Sequence, residues 1–175
     1  MSSALIIAGG VVGFFLLIGV IWFFSTWNRL VSLELNVDNS WAQISVLLKQ
    51  RYDMIPNLVN IAKGIAKQEI AFFDKLFDAR RAAAGALQSG NVEGAARVES
   101  TFAAMIPRIN MVAEQYTELK SESSFLNIQN QLVAQENSIA DRREIYKSSV
   151  TTYNKAIQMI PTVIVAKVKG CERSS

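Results

Sequence analysis

The chain has 175 residues, half of them hydrophobic, a net charge of +3, no histidine and one cysteine. The missing imidazole removes the commonest general base and the commonest metal ligand together, which disfavours most hydrolytic and zinc chemistries. Cys171 alone excludes an intramolecular disulfide, and Lys and Arg scattered among acids rather than gathered in a stripe argue against a nucleic-acid partner.

The first element is an uncharged apolar run from Ala4 to Phe24 that ends in an aromatic fringe at Trp22 and Trp27. As a helix it spans roughly 31 Å, the thickness of a bilayer's hydrocarbon core. A cleaved secretory signal would need a basic start, a shorter apolar stretch and a small-residue cleavage site, and the sequence has none of them. Residues 1–27 are therefore expected to be a short tail and a retained transmembrane anchor. Gly9 and Gly13 form a Gly-x-x-x-Gly that would let a second membrane helix approach closely, although small residues are also common in membrane helices that stay alone. Arg29, Lys49 and Arg51 follow the run and no Lys or Arg precedes it, which favours a cytoplasmic body. Three residues carry that signal, so a periplasmic body stays open as the alternative.

From Leu30 the apolar positions recur at three and four: Leu30, Leu33, Val37, Trp41, Ile44, Leu48, Ile55, Leu58, Ala62 and Ile65. No glycine or proline separates Phe24 from Ile55, so the anchor is expected to continue into this helix. Pro56 lies inside the pattern, and because the phase continues across it a kinked continuous helix is preferred to two helices. A second amphipathic stretch runs from Glu69 to Leu87 through Phe72, Phe73, Leu76 and Phe77 and breaks at Ser89, Gly90 and Asn91, with Asn91 placed to cap the next helix. The third carries Ala95, Val98, Phe102, Met105, Ile109, Val112, Tyr116 and Leu119, with a kink expected at Pro107. After a break at Ser121 to Ser124, the fourth reads Phe125, Ile128, Leu132, Ile139, Tyr146, Val150, Tyr153, Ile157 and Ile160, with Pro161 and Gly170 as terminators. Long helices, short polar breaks and no alternating strand pattern predict an all-α fold. Its transmembrane helix continues into an antiparallel bundle of about four long helices over residues 28–170, followed by a tail at 171–175.

Charges interrupt two seams: Arg51 in the first helix, Glu136 and Arg143 in the fourth. They are read either as a buried ionic network that fixes helix register or as a site for a ligand or headgroup. The sequence offers no catalytic and no metal-binding residues of recognisable spacing, and no cofactor is expected. Glu-x-x-His pairs are impossible without histidine. The glycines at Gly85, Gly90 and Gly94 match no phosphate loop, and no histidine base stands ready to activate a nucleophile. An enzyme would require a pocket of perturbed carboxylates among Glu136, Asp141 and Asp53.

Several segments resemble the LemA family: Trp27-Asn28-Arg29-Leu30-Val31, Trp41-Ala42-Gln43 through Leu47, Gln50, Arg51, Asp53 and Ile55-Pro56-Asn57-Leu58-Val59. In the second half Leu119-Lys120, Phe125, Leu132, Glu136-Asn137, Ile139-Ala140, Arg142-Arg143, Tyr146, Val150, Tyr153-Asn154, Ile157, Pro161, Ala166 and Gly170 show the family's order and spacing. The departures are local: Trp27 for a usual tyrosine, Thr117 for a proline, Lys147 for an asparagine and Cys171 for a phenylalanine. The resemblance implies a bacterial single-pass membrane protein with a short N-terminal tail, a soluble bundle of long helices and no established enzymatic activity. Together with the basic residues that follow the anchor, this leads to the expectation of an inner-membrane protein with its N-terminus outside and its bundle cytoplasmic, the periplasmic bundle being the alternative. One branch of the family is associated with forming membrane compartments.

Two functions emerge as expectations. The first is a non-enzymatic scaffold that self-associates into a homo-oligomer and organises or remodels the membrane, its partners being the lipid bilayer and further copies of itself. The second is a monomeric anchored adaptor whose bundle recruits an unknown protein, with Phe72, Phe73 and Phe77 as the surface to look for.

Overall fold

The computed structural model describes the backbone of residues 2–174 and the side chains of residues 7–174. Seven α-helices are present among the described residues, and no strand. α1 covers Ser2–Ile65, 64 residues without interruption and with Pro56 inside it. It is the one described helix long and apolar enough to cross a membrane, and none of its most apolar stretch is buried. A 3₁₀ turn at Lys67–Glu69 leads to α2, Ile70–Gln88.

The expected third stretch is divided. α3 spans Val92–Ala103, α4 Ile106–Gln115 and α5 Thr117–Ser121. Asn91 caps α3, its side chain accepting the Gly94 N–H at 2.9 Å. Pro107 does not kink a continuing helix as expected. It stands in the first turn of α4, where the backbone N–H groups have no intrahelical partner and the loss of one costs nothing. α6 runs Ser123–Gln158, and beyond it a short α7, Thr162–Lys169, occupies a segment for which the sequence supplied terminators but no helix.

The backbone gathers into two compact units, one comprising the chain up to residue 40 with 145–174, the other residues 41–144. In the first, Leu30 and Val37 of α1 meet Tyr153 and Ile157 of α6 and Val165 and Ala166 of α7, with Phe23, Trp27 and Leu33 packed against them. The Ser40 and Ser149 hydroxyls share a hydrogen bond of 3.1 Å, and Lys169 pairs with Glu34. α7 closes in a Schellman motif: the Cys171 N–H donates to the Ala166 carbonyl, the Gly170 N–H to Lys167, and Gly170 takes the left-handed conformation at φ 74°. The tail beyond Gly170 is tied down, because the Asn154 side chain donates to the Ser174 carbonyl at 2.8 Å and accepts its N–H at 3.0 Å.

In the second unit the buried residues are Ile44, Leu48, Ile55, Leu58 and Ala62 on the α1 seam, Phe73 and Leu76 of α2, Phe102 of α3, Ile109 of α4 and Phe125 and Leu132 of α6. Antiparallel passage of α1 and α6 shows in their pairings, since Val46 and Leu47 line one hollow with Arg142 while Arg51, a turn later, reaches Glu136. Phe72 and Phe73 are both core residues, and Phe77 is half buried beneath the Arg81 guanidinium, 5.4 Å from its ring centre.

Candidate functional site

The seam periodicity that buries Leu48 and Ile55 also buries the residue between them, and that residue is Arg51, wholly removed from solvent. A guanidinium in such a place must find acceptors, because desolvating an unpaired charge costs several kcal/mol. One of its terminal nitrogens donates to Oε1 of Glu99 at 2.5 Å and the other to Oε2 of Glu136. Its carbon also lies 5.5 Å from the centre of the Phe102 ring, within cation–π range. Glu99 is wholly buried too. The Tyr52 hydroxyl donates to its second oxygen, and Arg143 stands 3.9 Å from the first. The Tyr52 ring meets Phe102 edge to face, 5.4 Å between centroids.

That geometry sets the electrostatics. Burial pushes the Glu99 carboxyl above the ordinary carboxylate range despite the Tyr52 hydrogen bond and the two guanidinium groups. Burial also raises Tyr52, and its hydrogen bond to Glu99 adds to the rise, so this phenol stays a donor. Two guanidinium groups face two carboxylates, and the cluster is neutral when all four are ionised. The Arg51 Nε has no hydrogen-bond partner among the described residues.

Pro56 adds a second tie at the same place. Lacking an N–H, it leaves the Tyr52 carbonyl, four residues earlier, without its helical donor. Arg80 of α2 supplies one, its Nε donating to that carbonyl at 2.9 Å while its terminal nitrogen lies 3.6 Å from Asp53. The gap in the ladder of α1 is thus filled from outside the helix, and the filling residue holds α2 to α1. A groove of about 370 Å³ borders this contact, lined by Val46, Lys49, Tyr52, Asp53, Arg80 and Leu87 among others. The other unit has its own cavity of about 550 Å³, lined by Glu34, Asp38, Tyr153, Lys169, Cys171 and Glu172 among others. There burial and the neighbouring Cys171 thiol push the Tyr153 phenol up to about 12.

Of the residues singled out in the sequence, Arg51 and Glu136 are in direct contact, and Arg143 joins them through Glu99; Glu136 and Arg143 are half exposed rather than buried. Gly9 and Gly13 lie four residues apart on α1, Gly9 exposed and Gly13 partly so, with open space where a Cβ would stand. Glu99 and Tyr52 were missed. The available signal was a second three-and-four series, Ala95, Glu99, Phe102, Ile106, Ile109, that runs beside the wholly apolar one through Val98 and Met105 and is the one the structure buries.

These features define an all-helical protein with one long apolar N-terminal helix, a charge-paired core and no readable catalytic constellation among the described residues. The sequence profile of the LemA family matches residues 40–175, and the chain belongs to that family. It is similar to the magnetosome protein MamQ of Magnetospirillum gryphiswaldense, 22% identical over 84% of this chain and 62% of that protein. Two MamQ proteins of Paramagnetospirillum magneticum are each 23% identical over 85% of this chain and 63% of their own length. The chain thus spans less than two thirds of the curated relatives it matches.

Proposed function

We propose that this chain is a non-enzymatic, single-pass membrane protein that self-associates as a scaffold and organises or remodels a bacterial membrane. The observation that carries the reading is the apolar stretch of α1, whose side chains, Phe14, Phe15, Leu16 and Leu17 among them, are about two-thirds exposed. An unbroken apolar surface of that size on a helix of bilayer length has one economical solvent, the lipid chain. Gly9 and Gly13, with nothing against their backbone, offer a face on which a second such helix can pack. The Arg51 cluster supports a structural role for the core, because its buried ionic groups are turned on one another rather than into a cavity. The proteins it resembles are magnetosome proteins, and an association of the family with membrane compartments fits the same reading.

On this reading the partners are the bilayer and further copies of the chain, with no nucleic acid and no cofactor. The membrane is the inner one, the N-terminus lies outside and the remainder is cytoplasmic, in accord with Arg29, Lys49 and Arg51. The adaptor alternative is weakened because Phe72 and Phe73, which would have formed its surface, are inside. Alkaline washing of membranes is expected to leave the full chain in the pellet and release a version lacking residues 1–27; release of both would contradict the anchor. An impermeant thiol reagent applied to cells with an opened outer envelope should reach Cys171 only after permeabilisation. Complete labelling beforehand would put the helical remainder on the other side.

A further inference from the structure

The connection between α6 and α7 exposes four apolar side chains close together: Met159 at 61%, Ile160 at 85%, Ile164 at 59% and Val168 at 65%. Single exposed apolar residues are ordinary, but a cluster on one turn and one helix face is a patch that water disfavours. Ile164 and Val168, four residues apart, share the outer face of α7, while Val165 and Ala166 fill the core on the inner one.

Contacts within the same unit fix the position of this patch along α1. α6 descends from Ser149 beside Ser40 to Ile157 in the cluster with Leu30, and α7 returns to place Lys169 on Glu34. Seven residues separate Thr162 from Lys169, and the same helical rise of about 10 Å on α1 leads back from Glu34 to Trp27. Phe23 and Trp27 pack against this core, and Thr26 is only 8% exposed. The turn Met159–Pro161 therefore lies at the level where the apolar stretch of α1 ends. Exposed Lys155, four residues before the turn on α6, and Arg29, two residues after Trp27 on α1, lie near the same level, charges suited to anionic headgroups. Lys167 is exposed in the last turn of α7. The acidic Glu34 and Glu172 stand with Lys169 at the other end of α7.

We propose that the α6–α7 turn is a second membrane contact, in which Met159, Ile160, Ile164 and Val168 enter the boundary between headgroups and acyl chains of the bilayer that holds α1. This rests on the anchor reading and adds to it a docking surface for lipid. A monotopic contact beside a membrane helix fixes how the helix leaves the bilayer, because two points of attachment define an orientation that one does not.

The test uses the full chain with Cys171→Ser and single cysteines introduced as Ile160→Cys, Ile164→Cys, Thr151→Cys on exposed α6, and Leu17→Cys in the anchor. Each carries a polarity-sensitive fluorophore in vesicles of phosphatidylcholine and phosphatidylglycerol. Labels at 160 and 164 are expected to be quenched several-fold more by nitroxide lipid, and several-fold less by aqueous iodide, than the label at 151. Labels at 160 and 164 that behave like 151 while 17 is in lipid would overturn this inference and leave the anchor standing. Shielding from iodide without nitroxide quenching would mean that protein covers the patch, which also overturns it. A label at 17 open to iodide would overturn the anchor itself.

Discussion

In the unit that combines the start of α1 with α7, the interior is Leu30, Val37, Ile157 and Val165 around a Tyr153 ring, and the Glu34–Lys169 pair stays at the rim. In the unit of residues 41–144, Arg51 and Glu99 are both wholly buried among Leu48, Ile55 and Phe102. An apolar interior is non-directional and tolerates small slips of one helix along another. A buried guanidinium with three specified neighbours tolerates none, because every displaced register leaves an uncompensated charge. The same set of long helices thus carries one interior that supplies adhesion and one that supplies alignment.

Breaking the charged interior should have the largest effect. Arg51→Met leaves Glu99 buried without its hydrogen-bonded cation, only Arg143 remaining at 3.9 Å, and is expected to cost about 3–5 kcal/mol, read as a lowered urea midpoint for the full chain in detergent. A loss below about 1 kcal/mol would mean that the pair is not desolvated as described. Cutting the apolar interior at Leu30→Ala should cost about 3 kcal/mol through lost transfer energy and an unfilled cavity, without altering the pairing of Arg51.

A sharper probe is Arg80→Met. It removes the donor that completes the ladder of α1 at Tyr52 and is expected to cost about 1–3 kcal/mol. With Pro56→Ala already present, residue 56 offers its own N–H to the Tyr52 carbonyl, so the same Arg80 change should cost clearly less. Equal costs in both backgrounds would detach Arg80 from Pro56.

The smallest effect is one of pH. The folded chain raises the Glu99 pKa above its unfolded value, so it holds that proton more tightly than the unfolded chain does. The contribution of Glu99 is complete below the ordinary carboxylate range and is lost as pH rises through the raised value. The stability of the natural chain relative to Glu99→Gln should therefore decline from about pH 4 upward. A difference that grows with pH would reverse the assignment.

Much of this was legible because it is local. The three-and-four seam from Leu30 to Ala62 marked the buried face of α1, and the polar run at Ser89 to Asn91 marked the start of α3. Arg51, Glu136 and Arg143 stood out as charges on apolar seams. The carboxylate shared by Arg51 and Arg143 did not, because Glu99 sits 48 residues from Arg51 and no pairwise spacing rule reaches that far. The break at Tyr116 was hidden, with no proline or glycine beside it to signal the extended backbone. α7 was hidden too, since Thr162-Val163-Ile164-Val165 is β-branched throughout and is helical only because Val165 and Ala166 find a core. Pro56 was read for what it breaks; that Arg80 replaces the missing donor is a fact of packing.

The central claim, an anchored scaffold that assembles through its membrane helix, is tested most directly by the mass and shape of the full-length protein in mild detergent, imaged as single particles beside a version lacking residues 1–27. A regular assembly of the full chain that disperses on removal of those residues is the predicted result. A uniform monomer in both preparations would contradict it.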